Sequence, residues 1–419
     1  MSYWSSIEEI HNQIQKKEKK IIGWGTGGAY RHYQHINPLK LEYLIDNDIS
    51  KWGETIDDIV VYSPNQLLNE KVEDVVIIVY SSFASEIIEQ VKMIGNFLVE
   101  SASKLFDFLK IESYMQKINS VIGNNFTQVK RYPKSNNAIL IQGQVVEEVT
   151  IQIVKYYCKL YANDLIILST WNDTKEELID EIKPYVDHIV LNDLPHNRGV
   201  QNRNLQISST YNGILAAEKA GARYILKTRT DTILLKENIL NQCLDVLHEY
   251  SGNVAQRHGL KNRILVNETF TRKYFIYHPS DMVMYGHIED IKLYWTQEFD
   301  LRDYALTEKD WKSKTLKEFS LQRGSSENYL CVNFLKKIDW DIKGSLKDSW
   351  EFYRDLLVVK DDDWFGFFWF KNPSIPDKDT PFKVKENITH SFWENLYFHR
   401  INGEGVIDIE LHHWNDFFV

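Results

Sequence analysis

Tyr224-Ile225-Leu226-Lys227-Thr228-Arg229-Thr230-Asp231-Thr232-Ile233-Leu234-Leu235 is apolar, then polar, then apolar again. It reads as a buried strand that runs into a polar knot. An acid at the end of a buried strand is costly unless its charge is compensated. A bound cation would do so, and so would Arg229, which shares a strand face with Asp231. In isolation an ion pair and a ligand-binding acid both satisfy the pattern, and the flanking sequence has to weigh them.

Upstream, Ala138–Ile141 predicts a buried strand ended by Gln142-Gly143-Gln144. A helix follows from about Glu147 to Tyr161, then strand Leu165–Leu168, which ends in Ser169-Thr170-Trp171-Asn172-Asp173. Another helix covers Glu176 to Tyr185, and strand His188–Leu191 ends in Asn192-Asp193. Alternating strand and helix indicates a parallel sheet. Ligands of open parallel sheets sit at the carboxyl ends of the strands. Polar clusters fall at four such ends, which is harder to attribute to a solvated rim than one would be. A long helix, Gln201 to Ala220, joins this region to the opening strand. Ile207, Tyr211, Ile214 and Leu215 form its apolar stripe. Asn202, Gln206 and Ser209 form a polar stripe of amides and hydroxyls that ends at Gly213. Asn202 and Arg203 stand near the helix start, where anions are favoured.

Near the N-terminus, strand Lys20–Ile22 enters Gly23-Trp24-Gly25-Thr26-Gly27-Gly28. Gly23, Gly25 and Gly28 satisfy G-x-G-x-x-G. A helix to about His35 and a strand, Leu41–Ile45, lead to Asp46, at the distance expected of a ribose-binding carboxylate. Such glycines let a backbone approach a pyrophosphate at a helix N-terminus. Val75–Tyr80 supplies a further parallel strand, and Val99 to Leu109 closes the unit. About 110 residues suggest a half-fold, so a bound nucleotide and a purely structural module remain alternatives. The pattern Asp46-Asn47-Asp48, Lys51-Trp52-Gly53 and Pro64 resembles small Rossmann-like modules attached to bacterial sugar-modifying enzymes and some methyltransferases. A helix from Ile111 to Ile122 and a polar stretch, Gly123 to Asn137, mark the domain boundary.

The 419 residues suffice for two to three domains. A net charge of −10 argues against a general binder of nucleic acid or anionic membrane. Cys158, Cys243 and Cys331 are too far apart for a metal motif or disulfide framework and fit a reducing cytoplasm. No signal peptide and no run long enough to cross a membrane is evident. The sequon-like Asn387-Ile388-Thr389 is then a chance match.

Downstream, Ile264 to Tyr277 suggests strands or a hairpin, and Asp281 follows Pro279 as a turn residue would. Leu301 to Phe319 reads as a charged helical insert. Ser325 or Ser326 can cap a helix running to Leu335, with Glu327 in its first turn stabilising the dipole. Asp361-Asp362-Asp363-Trp364 and the aromatic run Phe365–Phe370 either line a groove or dock the tail, and docking is the commoner role. His412-His413 is by default a surface pair.

Gln142-Gly143, Leu168-Ser169-Thr170-Trp171, Asn202-Arg203-Asn204-Leu205-Gln206-Ile207-Ser208-Ser209-Thr210, Leu226-Lys227-Thr228-Arg229-Thr230-Asp231 and Ser280-Asp281-Met282 with Gly286 resemble, in order, the WavE family of bacterial lipopolysaccharide-biosynthesis proteins. The resemblance spans roughly residues 138 to 335. That family is similar in layout to glycosyltransferases of the GT-A type. The resemblance implies a GT-A-like α/β domain with a mainly parallel central sheet at 138–345, behind the Rossmann-like module at 1–110 and a helix and linker at 111–137. Residues 346–419 would pack on it as an aromatic-rich segment. It further implies a nucleotide-sugar donor and a glycan acceptor of lipopolysaccharide or capsule, handled in the cytoplasm or peripherally at the inner membrane face beside other glycan-assembly proteins.

By the same resemblance Asp231 would hold a metal–diphosphate with Lys227 or Arg229 assisting, and Gln142, Thr170, Asp173, Asn202 and Arg203 would face the donor. Glu327, and after it Asp281, would serve as general base. One of the C-terminal histidines, His412, would be a further metal ligand. The sequence departs from the family layout where Arg229 replaces the first acid of an Asp-x-Asp pair. Either one acid and the diphosphate hold Mg²⁺ or Mn²⁺, or Arg229 and Lys227 neutralise the diphosphate without metal. Two other readings remain: an NAD(P)-dependent sugar oxidoreductase using Gly23–Gly28, disfavoured by the absence of a Tyr-x-x-x-Lys pair, and a non-catalytic scaffold of glycan assembly.

Overall fold

Two large sheets organise the chain, one in each of its two units, Met1–Gln116 and Lys117–Val419. The structure, a computed structural model, describes residues 5–123, 126, 131, 135–302, 315–373 and 386–399. His412 lies outside the described residues, as does most of the expected insert after Leu301.

The first unit contains β1 (Lys20–Trp24), β2 (Tyr43–Ile45), β3 (Thr55–Ile56), β4 (Ile59–Tyr62), β5 (Val75–Val79) and β6 (Leu98–Ser101), in the order β3-β4-β2-β1-β5-β6. Only β3 runs antiparallel to its neighbour. Its helices are α1 (Ser5–Lys16), α2 (Gly28–Ile36), α3 (Ala84–Ile94) and α4 (Ala102–Ile122). β5 is apolar throughout because both faces are covered. Val76 and Ile78 pack with Ile7, Tyr30 and Phe108, whereas Ile77 and Val79 pack with Trp24, Ile87 and Val91. The two-residue period of the strand thus divides one run between two core layers.

The expected half-fold is too small. The chain steps outward from β1 to β2 and β4, then returns to β5 on the other side of β1. A topological switch point therefore lies between β1 and β5. The helix expected from Ile111 to Ile122 starts earlier, as α4 runs without a break from Ala102.

The second unit adds β7 (Asn137–Gln142), β8 (Leu165–Trp171), β9 (His188–Asn192), β10 (Tyr224–Arg229), β11 (Thr232–Leu234), β12 (Ile264–Asn267), β13 (Met284–His287), β14 (Leu357–Lys360) and β15 (Phe367–Trp369). Seven of them form a sheet in the order β14-β12-β13-β10-β7-β8-β9, mixed α/β and mainly parallel, with β13 alone reversed. The helices are α5 (Glu147–Leu160), α6 (Glu176–Ile182), α7 (Arg203–Lys219), α8 (Ile239–Glu249), α9 (Asn253–Arg257), α10 (Ile288–Trp295), α11 (Leu316–Leu321), α12 (Ser326–Lys337), α13 (Leu346–Leu356), α14 (Asp362–Phe365) and α15 (His390–His399).

The register aligns the polar strand ends: Arg229 pairs with Gln142, and Gln142 with Ser169. α7 seats against β7 and β8, because a Cβ at Gly213 would lie 2.3 Å from Leu140 Cδ1. That contact explains why the polar stripe of α7 ends in glycine. Ser209 in the same stripe donates to Gln142 Oε1 at 2.8 Å.

Two sequence expectations change here. Residues 264–277 form one short strand, β12, and then an irregular segment in which Phe270 and Tyr277 have φ of 69° and 51°. Residues after 346 do more than cover the sheet, since they supply its edge strand β14 and also β15, which pairs with β11. Buried Asp362 accepts from Asn267 and Thr269, so the acidic run anchors this segment. The three cysteines are buried and form no disulfide. Among the described residues no helix is long and apolar enough to cross a membrane.

Candidate functional site at the end of β10

Strand alternation places Lys227 and Arg229 on one face of β10. Lys227 is fully buried, donates from Nζ to the carbonyl of Asp281, and lies 4.9 Å from the centre of the Trp295 ring. Burial pulls its pKa down to about 8, opposed by the nearby Asp281 charge. Arg229 grips Asp231 with two hydrogen bonds, Nε to Oδ1 and Nη2 to Oδ2, each 2.8 Å. Trp369 of β15 donates from Nε1 to Asp231 Oδ2 at 3.0 Å. Burial pushes the Asp231 carboxyl up, but the Arg229 and Trp369 bonds outweigh it and hold the pKa below the usual range.

Both oxygens of Asp231 already accept charge-assisted or indole hydrogen bonds. Among the described residues no three His, Cys, Asp or Glu side chains gather as a metal site. With both oxygens so engaged, the described residues do not fit a divalent cation here.

Asp281 and Glu327 approach the same place from other elements. Asp281 lies just before β13, is buried, and leaves Oδ2 without a hydrogen-bond partner among the described residues. Burial raises its pKa, against the pull of Lys227. Glu327 stands in the first turn of α12, which Ser325 caps by accepting from Asn328 N. Its side chain keeps 16% exposure, and burial raises its pKa. Asn328 donates to the carbonyls of Ile276 and Tyr277 at 2.8 and 3.1 Å, fastening the irregular segment to α12. That contact brings His278 Nε2 to 3.4 Å from Glu327 Oε2. Tyr294 OH, Trp295 Nε1 and Ser326 Oγ are also buried without hydrogen-bond partners among the described residues. Buried orphan polar atoms are rare in folded proteins and mark places where water or a ligand completes the bonding.

The strand-end residues divide into those that meet this cluster and those that do not. Lys227, Arg229, Asp231, Asp281 and Glu327 come together. Gln142 lies beside Arg229 in the sheet but spends its side-chain oxygen on Ser209. Thr170 is buried against Thr174, 3.3 Å away between hydroxyls. Asp173 and Asn202 are exposed. Arg203 is fully buried: it pairs with Asp300 at 3.1 Å and donates to the carbonyls of Val200, Arg323 and Gly324. It therefore stitches the start of α7 to the loop before α12. Gln201 and Asn202, with φ of 57° and 60°, precede it in the left-handed region, a costly conformation for residues with a side chain.

Sequence reasoning missed His278, Arg272 and Trp369. His278 stands three residues before Asp281, yet its partner is far away in sequence. Its Nδ1 bonds the Phe270 carbonyl at 2.9 Å. Burial and then the Arg272 charge push its pKa down to about 4. An unfolded histidine takes a proton near pH 6.5 that folded His278 refuses until about pH 4. Stability present above the upper value is therefore lost as pH falls through this window. Glu327 and Asp281, whose pKa values are raised, act with the opposite sign. His278→Gln is expected to flatten the acid fall of the melting temperature relative to the natural chain, with both carboxyls left in place. Identical pH–melting curves would refute this.

In the first unit, Gly23, Gly25 and Gly28 line up at the end of β1. A Cβ at Gly25, where φ is 110°, would lie 2.4 Å from the Tyr80 carbonyl oxygen, so only glycine fits. Asp46 does not stand free: Oδ2 accepts from Thr26 N, Thr26 Oγ1 and Lys51 Nζ at 3.1, 2.5 and 3.1 Å, and Oδ1 from Asp48 N at 2.9 Å.

The second unit is thus an open α/β sheet with a buried charged cluster at the carboxyl end of β10, the end of the sheet at which proteins of this architecture bind ligands. The model of the family described as WavE lipopolysaccharide synthesis matches residues 139–390, more than half of the chain, and the chain belongs to that family. Residues 17–97 match the C2185-like N-terminal domain. No curated protein sequence matches. One solved structure, a glycosyltransferase involved in the glycosylation of the major capsid of PBCV-1, is similar over 45% of this chain and 74% of its own, at 14% identity and a TM-score of 0.25. That likeness is too slight to carry an argument.

Proposed function

We propose that the chain is a glycosyltransferase that moves a sugar from a nucleotide-sugar to a bacterial surface glycan, lipopolysaccharide or capsule. The reading rests on membership of a lipopolysaccharide-synthesis family and on one observation: Lys227 and Arg229 meet Asp281 and Glu327 at the carboxyl end of β10. In this reading the sheet is that of a GT-A-type enzyme working in the cytoplasm, at the inner face of the membrane beside the proteins that assemble the glycan.

The chemistry follows from the charges. The donor diphosphate lies against Arg229, with Lys227 behind it, and Asp173 and Asn202 are exposed on the nucleotide side. Glu327 takes the proton of the acceptor hydroxyl. The acceptor oxygen bonds the anomeric carbon as the bond from that carbon to the phosphate oxygen breaks. Negative charge then grows on the leaving diphosphate, where two cations held in place by the fold stabilise it without reorganising. The Trp369 ring beside Arg229 supplies an apolar wall suited to a sugar face.

The test is turnover. The full chain, incubated without acceptor with UDP-, GDP-, CMP- and dTDP-sugars, is expected to release nucleotide from one donor class. No turnover and no binding across the panel would refute the reading.

A further inference from the structure

The first unit carries a cavity that the glycosyl-transfer reading does not use. It has a volume of about 520 Å³ and is lined by Gly27, Gly28, Lys51, Ser81 and Ser82, among others. That is the size of a small-molecule site. It opens at the ends of β1 and β5, the switch point of this sheet.

We propose that this cavity binds a nucleoside diphosphate, phosphates first, on the N-terminus of α2. Four observations carry the assignment. The Gly27 cap has no side chain bonding the first N–H groups of α2, so those donors remain for an anion. A Cβ added at Gly27 or Gly28 would meet nothing within 4 Å, in contrast to Gly23 and Gly25, where packing demands glycine. Packing within the protein therefore does not account for glycine at 27 and 28, and the space above them is open. Asp46 fixes the Lys51 ammonium on the cavity wall at 3.1 Å, a placed counter-charge for phosphate. Trp24, fully buried on the cavity wall, leaves its Nε1 without a hydrogen-bond partner among the described residues.

The same geometry selects a mononucleotide over a dinucleotide. A dinucleotide cofactor needs the acid after β2 to accept from a ribose hydroxyl. Here Thr26, Lys51 and Asp48 have taken that carboxylate, so Asp46 latches the glycine loop instead. Asn47 and Gln90 exchange amide hydrogen bonds of 3.0 and 3.2 Å from the end of β2 to α3, closing one side of the crevice.

The experiment is titration of the full chain with ADP, GDP, UDP, CDP and dTDP, with NADH and inorganic phosphate alongside. Gly28→Leu puts a side chain into the open space above α2, where a Cβ meets nothing within 4 Å, and Lys51→Met removes the cation; Lys227→Met reports separately on the site in the second unit. One nucleoside diphosphate is expected to bind, to weaken about tenfold or more in both Gly28→Leu and Lys51→Met, and to retain this component in Lys227→Met. Unchanged melting temperatures would accompany both first-unit variants. Binding lost only in Lys227→Met would overturn this proposal while leaving the glycosyl-transfer reading intact. No nucleotide binding, NADH binding tighter than every mononucleotide, or phosphate binding as tightly as they do would also overturn it.

Discussion

Asp231→Ala is expected to cost about 3 kcal/mol of stability, because it leaves the Arg229 guanidinium inside the protein without its carboxylate. The low end of the range for buried pairs applies because Arg229 keeps 20% side-chain exposure against 8% for Asp231. The melting temperature should fall by on the order of 5–10 °C. Replacing both partners, Arg229→Met with Asp231→Leu, should restore part of the loss, since two apolar side chains leave no charge unpaired. The folded-state pKa of Asp231 is depressed, so its contribution is present above the ordinary carboxylate range and is lost as pH falls through the folded-state value. A metal ligand would behave differently: its removal would alter the response to Mn²⁺ and leave the metal-free melting temperature alone. Undiminished stability of Asp231→Ala would show that the ion pair is not what the carboxylate is for.

Glu327→Gln is expected to lower kcat by about 10²–10⁴-fold, the usual contribution of a general base, with donor binding and melting temperature little changed. Glutamine keeps the shape of the side chain at the start of α12 and removes its capacity to take a proton. Burial raises the Glu327 pKa, so the acid limb of the kcat–pH profile should lie above the ordinary glutamate range. Asp281→Asn separates the two candidates. Asp281 is buried with an unpartnered oxygen, whereas Glu327 sits at the partly open edge where an acceptor hydroxyl can reach it. A Glu327→Gln enzyme that retains full kcat, beside an inactive Asp281→Asn, would transfer the role to Asp281.

The parts of the molecule legible in the sequence are those set by near neighbours. β5 and β7 read as strands because apolar residues fill both faces, and the glycines after β1 follow from the turn they make. The strand ends could be aligned as a set because alternating strands and helices force a parallel sheet. What stayed hidden depends on contacts between distant residues. Arg203 has the position of an anion-binding residue at a helix start, yet the carbonyls of Arg323 and Gly324 capture it. Trp369 reaches Asp231 only because β15 returns to pair with β11. His278 meets Glu327 because Asn328 ties down a segment whose alternating residues imitate a strand while Phe270 and Tyr277 turn the chain at positive φ.

The assignment of the cluster at the end of β10 as the sugar-transfer site is tested most directly by a crystal structure of the chain soaked with the nucleotide-sugar that it turns over. The expected density places the diphosphate against Arg229 and Lys227, with the anomeric carbon facing Glu327 and no metal ion bound to Asp231. A donor bound elsewhere in the second unit, or a metal bridging Asp231 and the diphosphate with the Arg229 pair broken, would contradict it.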